Sequence, residues 1–369
     1  MVYALQRNDS ITHTEDRKTM RRILAICAIA ALAAVACIGC GSSDKSNDGG
    51  ATKVTPNEEQ TTPTEEVKQV NEAALSPSAT PAPTDTPTPA PTATPAVDEN
   101  GMMLLCPSQY LKKRDGATYG KFNHITYYSD YCKRDRGATV LLPAGYTEEK
   151  KYPVVYLLHG IFGDENSFAG DANLPVLIGN LVADGLSEEF ILVCPAMFAA
   201  SDDTAQAPGF SAEQMIPYDN FAHDLTQCLI PYIEENYSVI GGREGTYIAG
   251  FSMGGRETLY TIITYPDRFR AACAIAPAPG LVPGVDMFMT HEGSYKEEEV
   301  KFADGVTIPD KIIICCGTKD SVVGQFPKSY HNLFVKNGID HIWYEVPNAD
   351  HDMNAQYSGL YNFLQFIGK

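Results

Sequence analysis

The segment that decides the fold is Thr246-Tyr247-Ile248-Ala249-Gly250-Phe251-Ser252-Met253-Gly254-Gly255. Apolar, β-prone residues lead into Gly250, and residues 253–265 have the pattern of a helix that ends before a proline. A serine with a glycine two positions away on each side is typical of a sharp strand-to-helix turn, where Cβ atoms at the glycine positions would crowd the backbone. The segment therefore predicts a nucleophilic Ser252 at the carboxyl edge of a sheet, above a helix N-terminus that favours developing negative charge.

The apolar segments on either side of this turn alternate between strand and helix patterns. Strands are predicted at residues 122–128, 137–142, 153–159, 190–194, 270–276, 312–316 and 342–346, with a turn around residues 134–136. Helices are predicted at residues 174–186, 218–237 with a bend at Pro231, and 356–367. This alternation indicates an α/β fold in which a mainly parallel central sheet has helices on both faces.

A serine hydroxyl needs a base and an acid to act as a nucleophile, and both should follow Ser252 in the chain. His351 lies in the loop between the last strand and the last helix, which is where a base at the sheet edge belongs. His341 and His291 remain as alternatives, although His341, like His331, falls in or beside a helical pattern and His291 lies in a polar insertion. The acid is Asp320, at the carboxyl end of the strand before. Asp310 precedes that strand, and Asp350 and Asp352 are too close in sequence to His351.

The oxyanion of the reaction needs two N–H donors. One is predicted from Met253, directly after the serine, and the other from Ile161, in the loop that follows the strand at residues 153–159. His159, at the start of this loop, is expected to shape the turn.

The N-terminal 40 residues have the pattern of an export signal. Basic residues at positions 17, 18, 21 and 22 precede an alanine-rich apolar run. The run ends in Cys37-Ile38-Gly39-Cys40-Gly41-Ser42-Ser43, which resembles a bacterial lipoprotein box. That resemblance implies cleavage before Cys40 and lipid on its thiol, with Cys37 as the rival site and an uncleaved anchor or secretion as the alternatives. The predicted location is extracytoplasmic, on the bacterial cell membrane.

Residues 41–100 are rich in Ser, Thr, Pro, Ala and Glu, and this composition predicts a disordered linker. Residues 101–369 then have a globular composition and the length of one α/β domain, which is predicted to be the catalytic domain. The net charge of −18 argues against a nucleic-acid partner. Of the ten cysteines, seven follow residue 100, and they lack the spacing of a zinc site or of a full disulfide framework. The sequence does not decide whether Cys106 and Cys132 form a disulfide.

Four segments in this order resemble the putative-esterase (esterase D-like) family of α/β-hydrolases, which includes feruloyl and acetylxylan esterases. They are Tyr152-Pro153-Val154-Val155-Tyr156-Leu157-Leu158-His159-Gly160, Gly250-Phe251-Ser252-Met253-Gly254-Gly255, Tyr265-Pro266-Asp267-Arg268-Phe269 and Asp350-His351-Asp352. The resemblance implies an α/β-hydrolase fold, a triad of Ser252, Asp320 and His351, and no cofactor or metal. The chain departs from the family at Ile161-Phe162, where glycines are common, and at Met353-Asn354, where an aromatic residue is common.

These observations predict a serine carboxylic-ester hydrolase that works through an acyl-enzyme. An exported, tethered enzyme of this family suits feruloyl or acetyl esters of plant polysaccharide. Siderophore or other small esters are an alternative, as is an acyltransferase with the same triad, or a lipoprotein that binds without turnover. Substrate contacts are expected from residues 200–218 and 281–304.

Overall fold

A computed structural model describes residues 96–201 and 209–369. The predicted signal segment at residues 1–40, its Cys40 and Cys37, and all but the last five residues of the predicted linker at 41–100 lie outside the described residues.

The core of the fold is an eight-stranded sheet with the order β1-β2-β4-β3-β5-β6-β9-β10. Only β2 runs antiparallel to its neighbours; the other pairs are parallel. Its strands are β1 (Lys121–Ser129), β2 (Arg134–Leu142), β3 (Val154–Leu158), β4 (Ile191–Pro195), β5 (Thr246–Phe251), β6 (Ala271–Ile275), β9 (Lys311–Gly317) and β10 (Ile342–Val346). The central strands are buried along their whole length, as the continuous apolar runs require.

Six helices cover the two faces of the sheet. They are α1 (Asn173–Ala183), α2 (Ala212–Asp224), α3 (Ile230–Asn236), α4 (Met253–Thr264), α5 (Phe326–Lys336) and α6 (Met353–Leu364). The side chains of α1 and α6 join one apolar core, and those of α2 to α5 join the other. The predicted α/β fold is therefore confirmed, with helices on both faces. None of the helices at residues 96–201 and 209–369 is long and apolar enough to cross a bilayer.

Several predicted boundaries differ from the structure; for example, the helices predicted to end at residues 186 and 367 end at Ala183 and Leu364. Residues 134–136 belong to β2, and the chain turns instead at residues 130–133, where Lys133 adopts a left-handed φ of 56°. The helix predicted to begin at residue 218 begins at Ala212, because Ser211 caps it by accepting a hydrogen bond from the Gln214 N–H. That helix continues into α3 through one π-helical turn, Leu225–Leu229. The last helix begins at Met353 because the Asp352 carboxylate caps it.

A small hairpin of β7 (Gly284–Val285) and β8 (Thr290–His291) lies in the segment predicted to be polar and irregular. Its strands have two residues each, which is too short to give a periodic pattern in the sequence. Cys106 and Cys132 pack on opposite faces of the sheet, and all seven cysteines in the described part of the chain are free thiols. The disulfide left open by the sequence is therefore absent from this structure.

Candidate active site

Ser252 sits on a strained turn between β5 and α4. Its backbone has φ 59° and ψ −119°, a conformation that a non-glycine residue adopts only where the surrounding structure imposes it. The Ser252 N–H donates to the Ile275 carbonyl at 2.9 Å, and the Ser252 carbonyl accepts from the Ala278 N–H at 3.0 Å. A Cβ on Gly254 would collide with the Leu158 carbonyl, so this position requires glycine, as the sequence predicted. The turn presents Ser252 at the carboxyl end of β5.

Asp320 and His351 come together at the same sheet edge. His351 follows β10, Asp320 follows β9, and His351 Nδ1 lies 2.8 Å from Asp320 Oδ2. Both side chains are shielded, with exposures of 11% for His351 and 1% for Asp320. The other carboxylate oxygen, Oδ1, accepts from the Val322 and Val323 N–H groups at 3.0 and 2.9 Å. The loop itself therefore fixes the orientation of the carboxylate toward the imidazole.

The imidazole of His351 also packs against the residue that precedes the serine. Its ring centroid lies 4.5 Å from that of Phe251. Because Nδ1 faces a carboxylate, Nδ1 carries the proton and Nε2 is left as the basic nitrogen. Ser252, Asp320 and His351, which the sequence predicted as a group, are thus placed at one edge of the sheet.

The two predicted oxyanion donors flank the serine. Met253 is the first residue of α4, so its N–H belongs to the first-turn groups that have no partner inside a helix. A Cβ on Gly160 would lie 3.6 Å from the Ser252 Cβ, which places the loop of Ile161 alongside the serine. The Phe162 N–H donates to the Tyr218 hydroxyl at 3.1 Å, so α2 anchors this loop from outside.

His159 has the structural role that the sequence predicted. Its side chain is 2% exposed, Nδ1 lies 2.7 Å from the Gly160 carbonyl, and Nε2 accepts from the Met197 N–H at 3.1 Å. Burial lowers the pKa of His159 to about 4, so the ring is neutral at pH 7. A neutral ring with both nitrogens bonded joins the loops after β3 and β4.

The alternative bases are occupied elsewhere. His291 lies in β8, and its Nε2 is 3.1 Å from Asp286 Oδ2. His341 Nε2 lies 2.8 Å from His331 Nδ1, and the His331 ring stacks on Trp343 at the far edge of the sheet. Asp310, the rejected acid, pairs with Arg243 at the opposite end of β9.

A chamber of about 180 Å³ lies beside Arg256 in the first turn of α4, and its lining does not include Ser252, Asp320 or His351. Its walls come from α2, from the Pro279-Gly280 loop that follows β6, and from the segment 289–294, so both segments predicted to contact substrate meet here. At its floor, Arg256 is 3% exposed and pairs with Asp219 and Glu257. The Arg256 guanidinium also donates to the Ser294 hydroxyl at 2.5 Å. Met215, Ile216 and Met289 supply an apolar side.

The sequence reasoning missed this charged floor. The available signal was the pair Arg256-Glu257, two charged residues one turn into a helix that must be buried against the sheet. Charged residues are almost never fully buried unless they are paired. Their partners Asp219 and Ser294, however, are 37 and 38 residues away from Arg256, and only the folded chain reveals them. Among the residues that the structure describes, no group of three or more His, Cys, Asp or Glu side chains is arranged to hold a metal ion.

Comparison with solved structures finds the same architecture in feruloyl esterases. The CE1 ferulic acid esterase of Anaeromyces mucronatus, solved in complex with ferulic acid, superposes with a TM-score of 0.69 at 44% sequence identity. The match covers 72% of this chain and 97% of that one. The feruloyl esterase module of Clostridium thermocellum, solved with sinapinate, has a TM-score of 0.53 at 20% identity over 71% of this chain and 92% of that one. At that identity the similarity concerns the fold alone.

Comparison of sequences gives a consistent result. The endo-1,4-β-xylanase/feruloyl esterase of Xylanibacter ruminicola is 28% identical over 232 residues, which are 61% of this chain and 29% of that protein. The chain thus spans less than a third of the length of the curated relatives it matches. The family model described as "Putative esterase" matches residues 129–333, more than half of the chain. With the fold, the serine turn and these matches in agreement, the chain belongs to the "Putative esterase" family.

Proposed function

We propose that this protein is a serine carboxylic-ester hydrolase that removes hydroxycinnamoyl groups such as feruloyl from plant polysaccharide. The observation that carries the proposal is the placement of a shielded Asp320–His351 pair beside the strained turn of Ser252. These are the three groups that nucleophilic acyl transfer requires: a nucleophile, a base that takes its proton, and a carboxylate that orients the base.

In the proposed mechanism, Ser252 Oγ attacks the ester carbonyl while His351 Nε2 takes its proton. Asp320 holds the Nδ1–H tautomer and stabilises the imidazolium. The N–H groups of Met253 and Ile161 donate to the oxyanion of the tetrahedral intermediate. When this intermediate collapses, His351 gives the proton to the departing sugar oxygen, which leaves as a hydroxyl, and the acyl group stays on Ser252. Water then attacks the acyl-enzyme while His351 takes its proton. As the acid departs, His351 returns this proton to Ser252 Oγ.

One observation favours a hydroxycinnamoyl over an acetyl group: the relative of 44% identity was solved with ferulic acid bound.

The test compares wild type with Ser252→Ala on nitrophenyl ferulate, nitrophenyl acetate, and feruloylated and acetylated xylo-oligosaccharides. We expect Ser252→Ala to lose about four powers of ten or more in kcat/KM, and wild type to prefer the feruloyl esters. Ser329→Ala is the matched control, because this exposed hydroxyl on α5 bonds only the Phe326 carbonyl. Equal rates for wild type and Ser252→Ala would overturn the enzyme proposal. Transfer of ferulate to an added alcohol in preference to water would show that the protein is an acyltransferase and not a hydrolase.

We also propose that the protein is an exported lipoprotein anchored through Cys40. The support is the basic and apolar N-terminal sequence followed by the Cys40-Gly41-Ser42 start of the mature chain. The test is incorporation of labelled fatty acid into the protein in the producing bacterium. We expect Cys40→Ala to lose the label and Cys37→Ala to keep it. Loss of the label in Cys37→Ala instead would overturn the assignment.

A further inference from the structure

The loops that carry Asp320 and His351 are joined by a second contact, made by the residues next to them. The carboxylate of Asp350 reaches across to Ser321. Its Oδ1 accepts from the Ser321 N–H at 2.7 Å and from the Ser321 hydroxyl at 2.9 Å, and Oδ2 lies 3.2 Å from the same hydroxyl. Oδ1 also accepts from the His351 N–H at 2.8 Å. The Asp350 carboxylate thus binds Ser321, which is next to the proposed acid Asp320, and the backbone N–H of the proposed base His351.

The hydrogen bonds to the Asp350 carboxylate are charge-assisted. An ionised acceptor makes hydrogen bonds that are shorter and stronger than those between neutral groups. The Ser321 N–H lowers the pKa of Asp350, and the N–H of His351 and the Ser321 hydroxyl act in the same direction. The Asp350 carboxylate is therefore charged at neutral pH.

The backbone alone does not hold the tips of the two loops. The Thr318 N–H donates to the Val346 carbonyl at 3.0 Å and the Lys319 N–H to the Ala349 carbonyl at 2.9 Å. These backbone bonds fix the loops as far as residues 319 and 349. Beyond them, in the described part of the chain, the connections between the loops are the Asp350–Ser321 contacts and the Asp320–His351 pair itself.

We propose that Asp350 is a positioning residue of the hydrolase, which holds the His351 imidazole in register with Asp320 and directed toward Ser252. This inference rests on the proposed function. Asp350 touches neither the substrate nor the Ser252 hydroxyl in this mechanism. It fixes the backbone of His351 on one side and the loop of Asp320 on the other. Without it, the loop tips beyond residues 319 and 349 can shift and carry the imidazole with them, and a misplacement of about 1 Å can cost about a hundredfold in rate.

Asp352 provides a matched control on the other side of His351. Its Oδ1 accepts from the Asn354 and Ala355 N–H groups at 2.9 and 3.2 Å, so it caps α6 and does not cross to the Asp320 loop. Removing it should lower the melting temperature through the lost cap and leave the turnover of the folded protein unchanged.

The experiment measures kcat, KM and the rate of Ser252 labelling by a fluorophosphonate for four variants on nitrophenyl ferulate. We expect Asp350→Ala to lower kcat and the labelling rate by about ten- to a hundredfold, with KM within about twofold of wild type. Asp350→Asn keeps an oxygen acceptor and should recover part of this loss. Ser321→Ala keeps the carboxylate and its two N–H donors and should lower kcat by less than Asp350→Ala. Asp352→Ala should melt at a lower temperature with kcat within about twofold.

A kcat for Asp350→Ala equal to that of Asp352→Ala, per molecule of folded protein, would overturn the inference. If Asp350→Ala does not fold, Ser321→Ala decides, because its exposed hydroxyl can be removed without a cavity: an unchanged kcat and labelling rate would refute the positioning role. Failure of the proposed function has a different signature. In that case wild type and Ser252→Ala hydrolyse the ester equally, before any Asp350 variant is compared.

Discussion

Asp320 Oδ2 and His351 Nδ1 lie 2.8 Å apart although 31 residues separate them in the chain. The contact exists because β9 and β10 are parallel neighbours, with Gly317 opposite Val346, so that the loops after them leave the sheet side by side. Gly317 is required at this exit, since a Cβ there would collide with the Ala349 carbonyl. The parallel pairing of two strands thus sets the orientation of the proposed base.

Asp320→Asn should therefore abolish most of the activity with little change in binding. An amide can present its N–H to the imidazole and favour the wrong tautomer, which in a serine protease triad costs about 10⁴ in kcat. We expect a loss of about 10³ to 10⁴ in kcat with KM within a few-fold, measured on nitrophenyl ferulate. Asp310→Asn, at the other end of β9, is the control and should keep its kcat. Comparable losses in both variants would argue that the effect is one of folding.

Gly254→Ala should disrupt the serine turn. The added Cβ meets the backbone carbonyls of Leu158 and His159, which cannot rotate away. Overpacking of this kind costs about 1–3 kcal/mol of stability, and here it also displaces the nucleophile. Urea unfolding and ester hydrolysis measure the two effects. Gly170→Ala is the matched control, because nothing lies within 4 Å of a Cβ at that position. A Gly254→Ala variant with wild-type stability and rate would contradict the steric account.

Stability should fall as the pH is lowered through the range where His159 must take up a proton. Its pKa is lowered from 6.5 to about 4 by burial, so the unfolded chain binds a proton that the folded chain refuses. The contribution of neutral His159 to the free energy of unfolding is complete above pH 6.5. It decreases as the pH falls toward 4, by on the order of 3 kcal/mol in total.

Urea unfolding at pH 7 and pH 5 measures this loss, with His159→Gln as the comparison. The variant has no titrating group at this position, so its stability should decrease less between the two pH values. Equal decreases in wild type and variant would show that other groups account for the acid sensitivity.

Arg256→Met should destabilise the fold strongly. It would leave Glu257, which is fully buried, and Asp219 without their cation. Removal of one partner from a buried ion pair costs about 3–5 kcal/mol. Lys150→Met breaks the exposed Lys150–Glu189 pair, which is 2.6 Å long, and should cost under about 1 kcal/mol. Thermal and urea unfolding distinguish the two. Similar small losses of stability in the two variants would show that the core does not depend on Arg256.

The sequence alone was sufficient for the elements whose pattern is local. The continuous apolar runs placed the central strands of the parallel sheet, since a strand buried on both faces needs apolar residues along its whole length. The edge strand at residues 342–346 was also bounded as the structure has it, although it is only partly buried. Gly250, Ser252 and Gly254 predicted the turn because its steric limits act within five residues. The loops after β9 and β10 pointed to Asp320 and His351 because parallel strands end at one edge.

Tertiary structure decided what depends on packing between distant segments. The hairpin of β7 and β8 is too short to produce a periodic signal, and the start of α2 at Ala212 depends on a cap at Ser211. The charged floor of the chamber joins Arg256 to Asp219 and Ser294 across three elements. The Asp350–Ser321 contacts span 29 residues.

The physical reason is that the two kinds of information differ in range. Periodicity, turn chemistry and strand order are properties of neighbouring residues, and they determine which elements form and at which edge Ser252, Asp320 and His351 emerge. Hydrogen bonds such as that from Ser321 to Asp350 form only when the packing of the sheet brings two loops within 3 Å of each other. The sequence thus determined the fold and the choice of the proposed reacting groups, and the packed structure decided how those groups are held.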